Sequence, residues 1–443
     1  MQESDIEGYH GTVFELLKKA KVSIGDLIQI NKKNETYEGV LLPRSEYSDS
    51  KHILMKMKSG YNIGIAIDQN TKVCLIEKGS KPKYEYSISE PVNRKLEKVS
   101  IISTGGTIAS RVDYRTGAVE PALSAKDLYA AVPELSKIAS IETRILYKEF
   151  SENLEPKHWT GMSNAIKDEI KKGVEGIVIG HGTDTMAYSS AALSFALQNL
   201  PIPVVLVGSQ RSSDRPSSDA ASNLISAVTV AKSAPFAEIV IAMHETKADE
   251  FISIHRGTRV RKCHTSGRDA FRTINSPIFA RFDSDQKSLI INEDDYFKRE
   301  PSKKIQVSPN FNDKVMLLKF YPGIDPKIID WAIKKEYLGI IIEGTGLGHA
   351  GAYTHEAIKK AIDNGLLIGM TSQCIWGRIN MNVYYTGRDL SALGVFPLDD
   401  MLSETALVKM MWAFGQTKNK DEVKEIMLKN VAWEFSQQPI GSS

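Results

Sequence analysis

The order of strand and helix signals predicts an α/β fold with mostly parallel sheets, preceded by a small N-terminal β-barrel. Within residues 21–90, short segments alternate apolar and polar residues, as strands with one buried face do. From residue 99 onward, short and continuous apolar runs alternate with longer segments of helical periodicity. The 443 residues also exceed what one hydrophobic core usually serves, so several domains are expected.

The first predicted domain spans residues 1–92. Asn, Gly, Ser and Asp separate its strand candidates, which are DLIQI, TYEGVLL, HILMKM, YNIGIAI and KVCLIEK. The polar segment 82–98 contains two prolines, so we place the domain boundary there. Residues 1–97 contain 15 Lys and Arg against 14 Asp and Glu, a net charge of +1. A nucleic-acid-binding module would have a basic surface. We therefore expect this domain to dock a partner or to stabilise the chain.

Two further domains are predicted, a large catalytic domain at residues 98–300 and a smaller one at residues 312–443. The strand candidates of the large domain are VSIIS, RILYK, GIVIG, PVVLVG and EIVIAM. Continuous apolar strands between helical segments indicate parallel sheets covered on both faces. The polar stretch 283–312 contains Pro301 and Pro309 and is interpreted as the link. The pattern then resumes with VMLLKF, GIIIEG and LLIGMT.

The composition is that of an ordinary globular protein, with 42% hydrophobic and 25% charged residues. A net charge of +2 excludes a global field that would draw the chain to nucleic acid or to an anionic membrane. The three cysteines lie far apart, which fits a reducing compartment. The sequence shows no signal-peptide pattern and no run of about eighteen apolar residues. We expect a cytoplasmic protein without a membrane segment.

Two glycine- and hydroxyl-rich segments directly follow predicted strands, where ligand sites of α/β sheets lie. They are TGGT at residues 104–107 and HGTDT at residues 181–185. A hydroxyl becomes a nucleophile when a nearby base takes its proton, and a lysine held by a carboxylate can be that base. Asp184 supplies a carboxylate, and Lys262 is one candidate lysine among basic neighbours. The alternative is that the threonines and Asp184 only cap helices and that Lys262 is an ordinary solvated lysine.

Residues 102–110 (ISTGGTIAS) and 180–186 (GHGTDTM) resemble the two signature motifs of the L-asparaginase family, in the same order. Tyr114 resembles the mobile-loop tyrosine of that family, Ser151 its substrate-binding serine and Lys262 its catalytic lysine. The resemblance extends from residue 98 to the C-terminus. It implies the two-domain asparaginase/glutaminase-like fold.

The resemblance also implies roles for the individual side chains. Thr107 would attack the side-chain amide of the substrate and release ammonia, and Tyr114 would close over the site. Thr183, Asp184 and Lys262 would relay protons, with Lys262 as the base. The order of attack between Thr107 and Thr183 remains open, as does the preference for glutamine or asparagine. Two features depart from the common asparaginase pattern and bear on that preference, namely Glu152 and the segment SGRD at residues 266–269.

The N-terminal extension and residues 373–384 (QCIWGRINMNVY) make the layout similar to that of the D subunits of archaeal glutamyl-tRNA(Gln) amidotransferases. This similarity implies a glutaminase that passes ammonia to the E subunit of such an enzyme, which converts Glu-tRNA(Gln) to Gln-tRNA(Gln). It further implies a homodimer within a heterotetramer. ATP and Mg²⁺ would belong to the partner, since this chain has no phosphate-binding loop and no metal-ligand cluster, and needs no cofactor.

The alternative is a free-standing cytoplasmic L-asparaginase. An RNA-binding module on a non-catalytic scaffold is a third hypothesis, which the charge of the N-terminal part disfavours.

Other motifs are given structural roles. Residues 346–351 fit the pattern G-x-G-x-x-G but lack the acidic residue of a dinucleotide site, so we expect a glycine-rich turn. Cys374 lacks the elbow of a cysteine nucleophile and is expected to be a buried thiol. His181 and His349 stand beside glycines and are expected to be hydrogen-bonded turn residues.

Overall fold

The computed structural model describes residues 6, 8–32, 35–42, 44, 49–57, 62–79, 96–105, 110–112, 119–121, 128, 132–211 and 218–436. The predicted fold class is confirmed. An N-terminal antiparallel sheet precedes two α/β sheets. None of the helices among the described residues combines the length and the apolar character of a membrane-spanning segment.

Within the described residues, the N-terminal sheet has five antiparallel strands in the order β4-β3-β2-β1-β5. They are β1 (Leu27–Lys32), β2 (Glu35–Leu41), β3 (His52–Met57), β4 (Asn62–Ala66) and β5 (Lys72–Glu77). Helix α1 (Gly11–Ala20), which was not predicted from the sequence, packs on the sheet. Its Val13 and Leu17 are four positions apart, so they lie on one helix face and share a core with Ile28 and Ile53.

In the part of the chain that the structure describes, the large sheet has eight strands in the order β18-β17-β14-β13-β12-β10-β6-β9. The five strands from β9 to β13 along this order are parallel, and β14, β17 and β18 continue the sheet antiparallel. Three short pairs, β7–β8, β11–β19 and β15–β16, lie outside it. The bounds are β6 (Lys98–Ser103), β7 (Ser110–Val112), β8 (Val119–Pro121), β9 (Ser140–Ile145), β10 (Gly176–Gly180), β11 (Leu197–Gln198), β12 (Val204–Val207), β13 (Ile239–His244), β14 (Phe251–Arg256), β15 (Val260–Lys262), β16 (Phe271–Thr273), β17 (Ala280–Asp283), β18 (Ser288–Ile291) and β19 (Gln306–Val307).

Both faces of the large sheet are covered by helices. These are α2 (Leu135–Ile138), α3 (Pro156–Lys171), α4 (Met186–Ala196) and α5 (Ala220–Ser233). In β10, Ile177 and Ile179 join the core with α3 and α4, whereas Val178 joins the core with α2 and α5. Successive side chains of a strand point to opposite faces, which is why the strand must be apolar throughout.

The second sheet is parallel, in the order β20-β21-β22-β23. Its elements are β20 (Val315–Lys319), α6 (Lys327–Lys334), β21 (Gly339–Gly344), α7 (His355–Asp363), β22 (Leu367–Ser372), α8 (Tyr385–Leu393), β23 (Phe396–Pro397), α9 (Ser403–Gln416) and α10 (Lys420–Leu428). Helix α9 joins the two sheets, because its Trp412 stacks on Phe195 of α4 with ring centroids 5.8 Å apart.

The stretch 283–312, interpreted as a link, is more ordered than that interpretation implies. It begins at Asp283, the last residue of β17, and contains β18, the edge strand of the large sheet, and β19, which pairs with β11. An edge strand has one neighbour, so it tolerates the polar residues that made this stretch look like a linker.

Candidate active site

The two signature segments lie side by side at one edge of the large sheet. Strands β6 and β10 are parallel neighbours, and Ser103 is in register with Gly180. One residue further, the backbone N–H and the hydroxyl of Thr104 both donate to the carbonyl of Gly180, each over 3.0 Å. The carboxyl ends of parallel strands meet at the same edge, so both motifs face one site.

Gly105 allows the chain to turn sharply after β6. Its φ is +118°, a conformation that other residues rarely adopt, and a Cβ here would lie 2.0 Å from the carbonyl oxygen of Glu149. Glycine is therefore required at this position. The next site residues predicted from the sequence, Thr107 and Tyr114, lie outside the described residues.

The structure brings Thr183, Asp184 and Lys262 together. The Lys262 Nζ lies 2.8 Å from the Thr183 hydroxyl and 2.7 Å from an Asp184 carboxylate oxygen. The Lys262 side chain is 13% exposed, whereas that of Asp184 is 67% exposed. The helix α4 is capped by Thr185 without a side-chain hydrogen bond, and the Asp184 side chain binds Lys262 instead. Neither the capping role for Asp184 nor the solvated role for Lys262 is observed.

Ser151 lies against the second motif. It is buried at the start of a 3₁₀ turn (Ser151–Asn153), and its carbonyl accepts a 2.7 Å hydrogen bond from the Thr185 hydroxyl. A Cβ on Gly182 would lie 2.8 Å from both the Cβ and the hydroxyl of Ser151. The absence of a side chain at residue 182 is what lets Ser151 approach this closely.

His181 supports the second motif from within the core. Trp159 Nε1 donates to the Ser189 hydroxyl over 3.0 Å, and that hydroxyl lies 2.8 Å from His181 Nε2. The other ring nitrogen lies 2.6 Å from the Gly182 carbonyl, which can only accept, so Nδ1 carries the proton. Burial lowers the pKa of His181 to about 4, which keeps the ring neutral. The expected role as a hydrogen-bonded turn residue is confirmed.

Gly208, at the end of β12, is a site residue that sequence reasoning missed. A Cβ there would lie 2.7 Å from the Thr183 methyl group and 2.8 Å from the His181 carbonyl oxygen. The turn at residues 181–183 therefore packs directly against the backbone of Gly208. The available signal was a glycine at the end of the run PVVLVG, next to the strand that carries the second motif.

Lys262 lies on the hairpin formed by β15 and β16, in which it pairs with Phe271. Its basic neighbours are engaged elsewhere, since Arg259 forms a buried ion pair with Asp400 and Arg261 pairs with Glu404. Among the basic residues of the segment 259–262, Lys262 is thus the one directed at the threonine.

Two further motifs, Cys374 and the glycine-rich segment 346–351, lie in loops of the second sheet. Cys374 is exposed, so the prediction of a buried thiol was wrong. It follows strand β22 in a loop beyond the sheet edge, where the core does not extend. Residues 346–351 form the expected turn, in which Gly346 and Gly348 have positive φ and the Thr345 N–H donates to the His349 carbonyl.

Three family models match the chain. The model "Asparaginase, N-terminal" matches residues 98–295, and "Glutaminase/Asparaginase C-terminal domain" matches residues 314–427. The model "GatD N-terminal domain" matches residues 22–76. Among solved structures, the thermostable L-asparaginase from Thermococcus kodakarensis is 32% identical with a TM-score of 0.69, covering 77% of this chain and 100% of that one. L-asparaginase I from Vibrio cholerae is 28% identical with a TM-score of 0.67, covering 77% and 99%.

Full-length relatives share the extra N-terminal part. The D subunit of glutamyl-tRNA(Gln) amidotransferase from Metallosphaera sedula is 48% identical, covering 97% of both chains. The protein of the same name from Pyrococcus furiosus is 47% identical, covering 96% of this chain and 97% of the relative. With its two asparaginase-type sheets, its Thr183–Asp184–Lys262 cluster and its matching N-terminal domain, the chain belongs to the family of glutamyl-tRNA(Gln) amidotransferase D subunits, within the asparaginases.

Proposed function

We propose that this chain is the glutaminase subunit of a tRNA-dependent amidotransferase. It releases ammonia from glutamine for a partner protein that converts Glu-tRNA(Gln) to Gln-tRNA(Gln). The observation that carries the chemistry is the position of the Lys262 amine, within 2.8 Å of a hydroxyl and a carboxylate at the catalytic edge. The observation that favours an amidotransferase is near-full-length similarity to D subunits, including the N-terminal domain.

The proposed reaction uses a threonine hydroxyl as nucleophile. Thr107 attacks the side-chain amide carbon of glutamine, its proton passes to the departing nitrogen, the carbon–nitrogen bond breaks and ammonia leaves. Water then hydrolyses the resulting ester to glutamate and restores the hydroxyl. As the ester is hydrolysed, Thr183 takes a proton from the attacking water and passes its own to Lys262, which returns one to the departing Thr107 oxygen, while Asp184 orients the amine. Tyr114 closes over the substrate and Ser151 binds it. A first attack by Thr183 is the competing order, and the threonine esterified in a trapped intermediate distinguishes the two.

We further propose three domains, at residues 1–92, 98–300 and 312–443. The first docks the partner or stabilises the chain. Matches at 22–76, 98–295 and 314–427 support this division. Deleting residues 1–90 should weaken association with the partner in analytical ultracentrifugation. Association as strong as that of the full chain would contradict a docking role.

The partner and the compartment are also part of the proposal. We expect the E subunit of the amidotransferase as the partner, with a homodimer of this chain inside a heterotetramer, and ATP and Mg²⁺ bound by that partner. We expect a cytoplasmic location, which the three free and exposed cysteines support, because exposed thiols persist in reducing compartments. The mass of the reconstituted complex tests the stoichiometry.

The central experiment measures ammonia release from glutamine and from asparagine by the purified chain, with and without the partner, ATP and Glu-tRNA(Gln). Thr107→Ala and Lys262→Ala should abolish release. Thr229→Ala is the matched control, since that threonine hydroxyl only binds the Ile225 carbonyl within helix α5. Release that depends on the partner and on charged tRNA supports the proposal. Rapid asparagine hydrolysis by the chain alone would instead identify a free-standing L-asparaginase, the alternative that the two similar solved structures favour.

A further inference from the structure

The hairpin that carries Lys262 rests on the start of helix α9, which packs on the second sheet. We call residues 258–275 the catalytic hairpin; it contains β15 and β16 and is closed at its base by a hydrogen bond from Ile274 N to the Arg259 carbonyl. Residues 400–405, where helix α9 begins, face this base and are called the α9 turn. The α9 turn contains none of the predicted catalytic residues, yet it binds the hairpin at successive positions.

Two of these contacts are buried. The Thr405 hydroxyl donates to the Thr258 carbonyl over 3.0 Å. The Arg259 guanidinium lies 3.1 Å from the Asp400 carboxylate and donates to the Asp400 carbonyl over 3.2 Å, and both side chains are at most 2% exposed. Buried and charge-assisted hydrogen bonds hold their geometry closely, so the base of the hairpin is fixed to the α9 turn.

The third contact involves the direct neighbour of the catalytic lysine. Arg261 Nε lies 3.3 Å from a carboxylate oxygen of Glu404, whose side chain is 6% exposed. Glu404 is in the first turn of α9, where the helix dipole favours a negative charge. Desolvation by burial raises the pKa of Glu404, and Arg261 opposes that shift.

Alternation along β15 links this ion pair to Lys262. Successive strand side chains point to opposite sides, so Arg261 points away from the side that Lys262 occupies. Holding the Arg261 side chain on the α9 turn therefore sets the rotation of the strand about its axis. That rotation decides where the Lys262 amine lies relative to Thr183.

We propose that Glu404 is a positioning residue of the amidohydrolase reaction, which acts through Arg261 to hold Lys262 at hydrogen-bonding distance from Thr183. This inference rests on the proposed function and adds that the start of helix α9 controls the geometry of the proton relay. A misplacement of about 1 Å in a catalytic group can cost about a hundredfold in rate. The ion pair thus affects turnover without contacting the substrate.

The test compares Glu404→Gln, Arg261→Gln and the double variant in the assembled complex with partner, ATP and charged tRNA. Each single variant should lower kcat for glutamine hydrolysis by roughly 10- to 100-fold and leave KM within about twofold, since the substrate contacts are unchanged. The double variant should be no slower than the slower single variant, because both changes remove one interaction. Arg261→Lys, which keeps the charge, should recover part of the rate.

The matched control is Glu175→Gln. Glu175 binds Arg299 over 2.6 Å at the start of β10, at the opposite edge of the sheet. This variant should keep the wild-type kcat. Rates are normalised to folded and assembled complex. If Glu404→Gln does not assemble, Arg261→Gln and Arg261→Lys carry the test, because the Arg261 side chain is 32% exposed and easier to replace.

The outcomes separate this inference from the proposed function. An inactive wild-type complex would overturn the proposed function itself. An active wild-type complex with unchanged kcat in Glu404→Gln and Arg261→Gln would overturn only the positioning role. Losses that multiply in the double variant would also overturn it, since the two residues would then act independently.

Discussion

Two lysines of this chain, Lys262 and Lys409, each contact a carboxylate, but in opposite surroundings. The Lys262 amine lies 2.7 Å from Asp184, which is 67% exposed, and it also contacts a threonine hydroxyl. Lys409 forms an ion pair with Glu434, and both side chains are fully buried. The Lys409 amine also donates to the carbonyls of Met427 and Lys429.

The partners of the carboxylates differ in the same way. Glu434 accepts hydrogen bonds from the backbone N–H groups of Val431 and Ala432, so the buried pair is satisfied by groups that cannot react. In the Lys262 cluster, the Asp184 side chain is exposed to solvent, and the Thr183 hydroxyl is a group that can lose its proton. A lysine beside a carboxylate is therefore the candidate proton relay at one site and a buried structural pair at the other, and the further partners make the difference.

The strongest test of this comparison is Lys262→Met. We expect glutamine-dependent ammonia release by the complex to fall by about 10⁴-fold, because the proton relay loses its base. The unfolding midpoint should change little, since the lysine lies at the end of a short hairpin outside the large sheet. A variant that retains more than about a tenth of the wild-type rate would remove Lys262 from the mechanism.

Lys409→Met should show the reverse behaviour. Removing one partner of a buried ion pair leaves an uncompensated charge and costs about 3–5 kcal/mol of the free energy of unfolding. Chemical denaturation measures the loss, and the folded fraction should keep its kcat within about twofold. The double variant Lys409→Met, Glu434→Gln should regain much of the stability, because the neutral amide oxygen can still accept from the Val431 and Ala432 N–H groups. A stable single variant would show that the pair is not needed.

A third prediction concerns the pH dependence of stability and the buried His181, which lies two residues before Thr183 in the chain. Its pKa is lowered by burial from 6.5 to about 4, so the unfolded chain binds the proton more strongly between these pH values. Stability is then lost as the pH falls from 6.5 towards 4, by about 3 kcal/mol for this group. His244 and His255, whose pKa values burial also lowers, act in the same direction.

The contribution of His181 is isolated by comparing the wild type with His181→Gln. Unfolding free energies measured from pH 7 to pH 4 should fall less steeply in the variant, because glutamine does not titrate. Parallel curves for the two proteins would mean that His181 binds its proton as readily in the folded chain as in the unfolded one.

The smallest predicted effect tests whether substrate binding needs the space that Gly182 leaves beside Ser151. Gly182→Ala places a methyl group against Ser151, where a Cβ would lie 2.8 Å from the Ser151 Oγ. We expect KM for glutamine to rise about tenfold, equivalent to about 1.4 kcal/mol, with a smaller change in kcat. Gly64→Ala is the control, because a Cβ there meets nothing within 4 Å. An unchanged KM would argue against Ser151 as a binding residue.

Much of the fold was predictable because parallel strands buried on both faces need continuous apolar runs. The run GIVIG is β10 itself, and GIIIEG is β21. The antiparallel continuation through β14, β17 and β18 was not predicted. Its signal was the short connection between His244 and Phe251, which has no room for the crossover helix that a parallel strand requires.

The site was predictable in part. The motifs at residues 104–107 and 181–185 could be identified because glycines and hydroxyls directly follow apolar strands. The choice of Lys262 rested on family resemblance, since spacing alone does not separate it from the basic residues around it. In the structure these basic residues differ in their partners, because Arg261 forms an ion pair with Glu404 whereas Lys262 contacts the Thr183 hydroxyl.

The sequence by itself determined the fold class, the family and the residue types of the candidate site, because hydrophobic periodicity and local motifs are short-range properties of the chain. Only the tertiary structure decided which lysine meets the threonine and which is sealed in the core. Those pairings join positions 79 residues apart for Lys262 and Thr183, and packing rather than spacing brings such positions together. Burial and partner geometry, which no local pattern encodes, then distinguish the lysine that contacts a hydroxyl from the lysine buried in an ion pair.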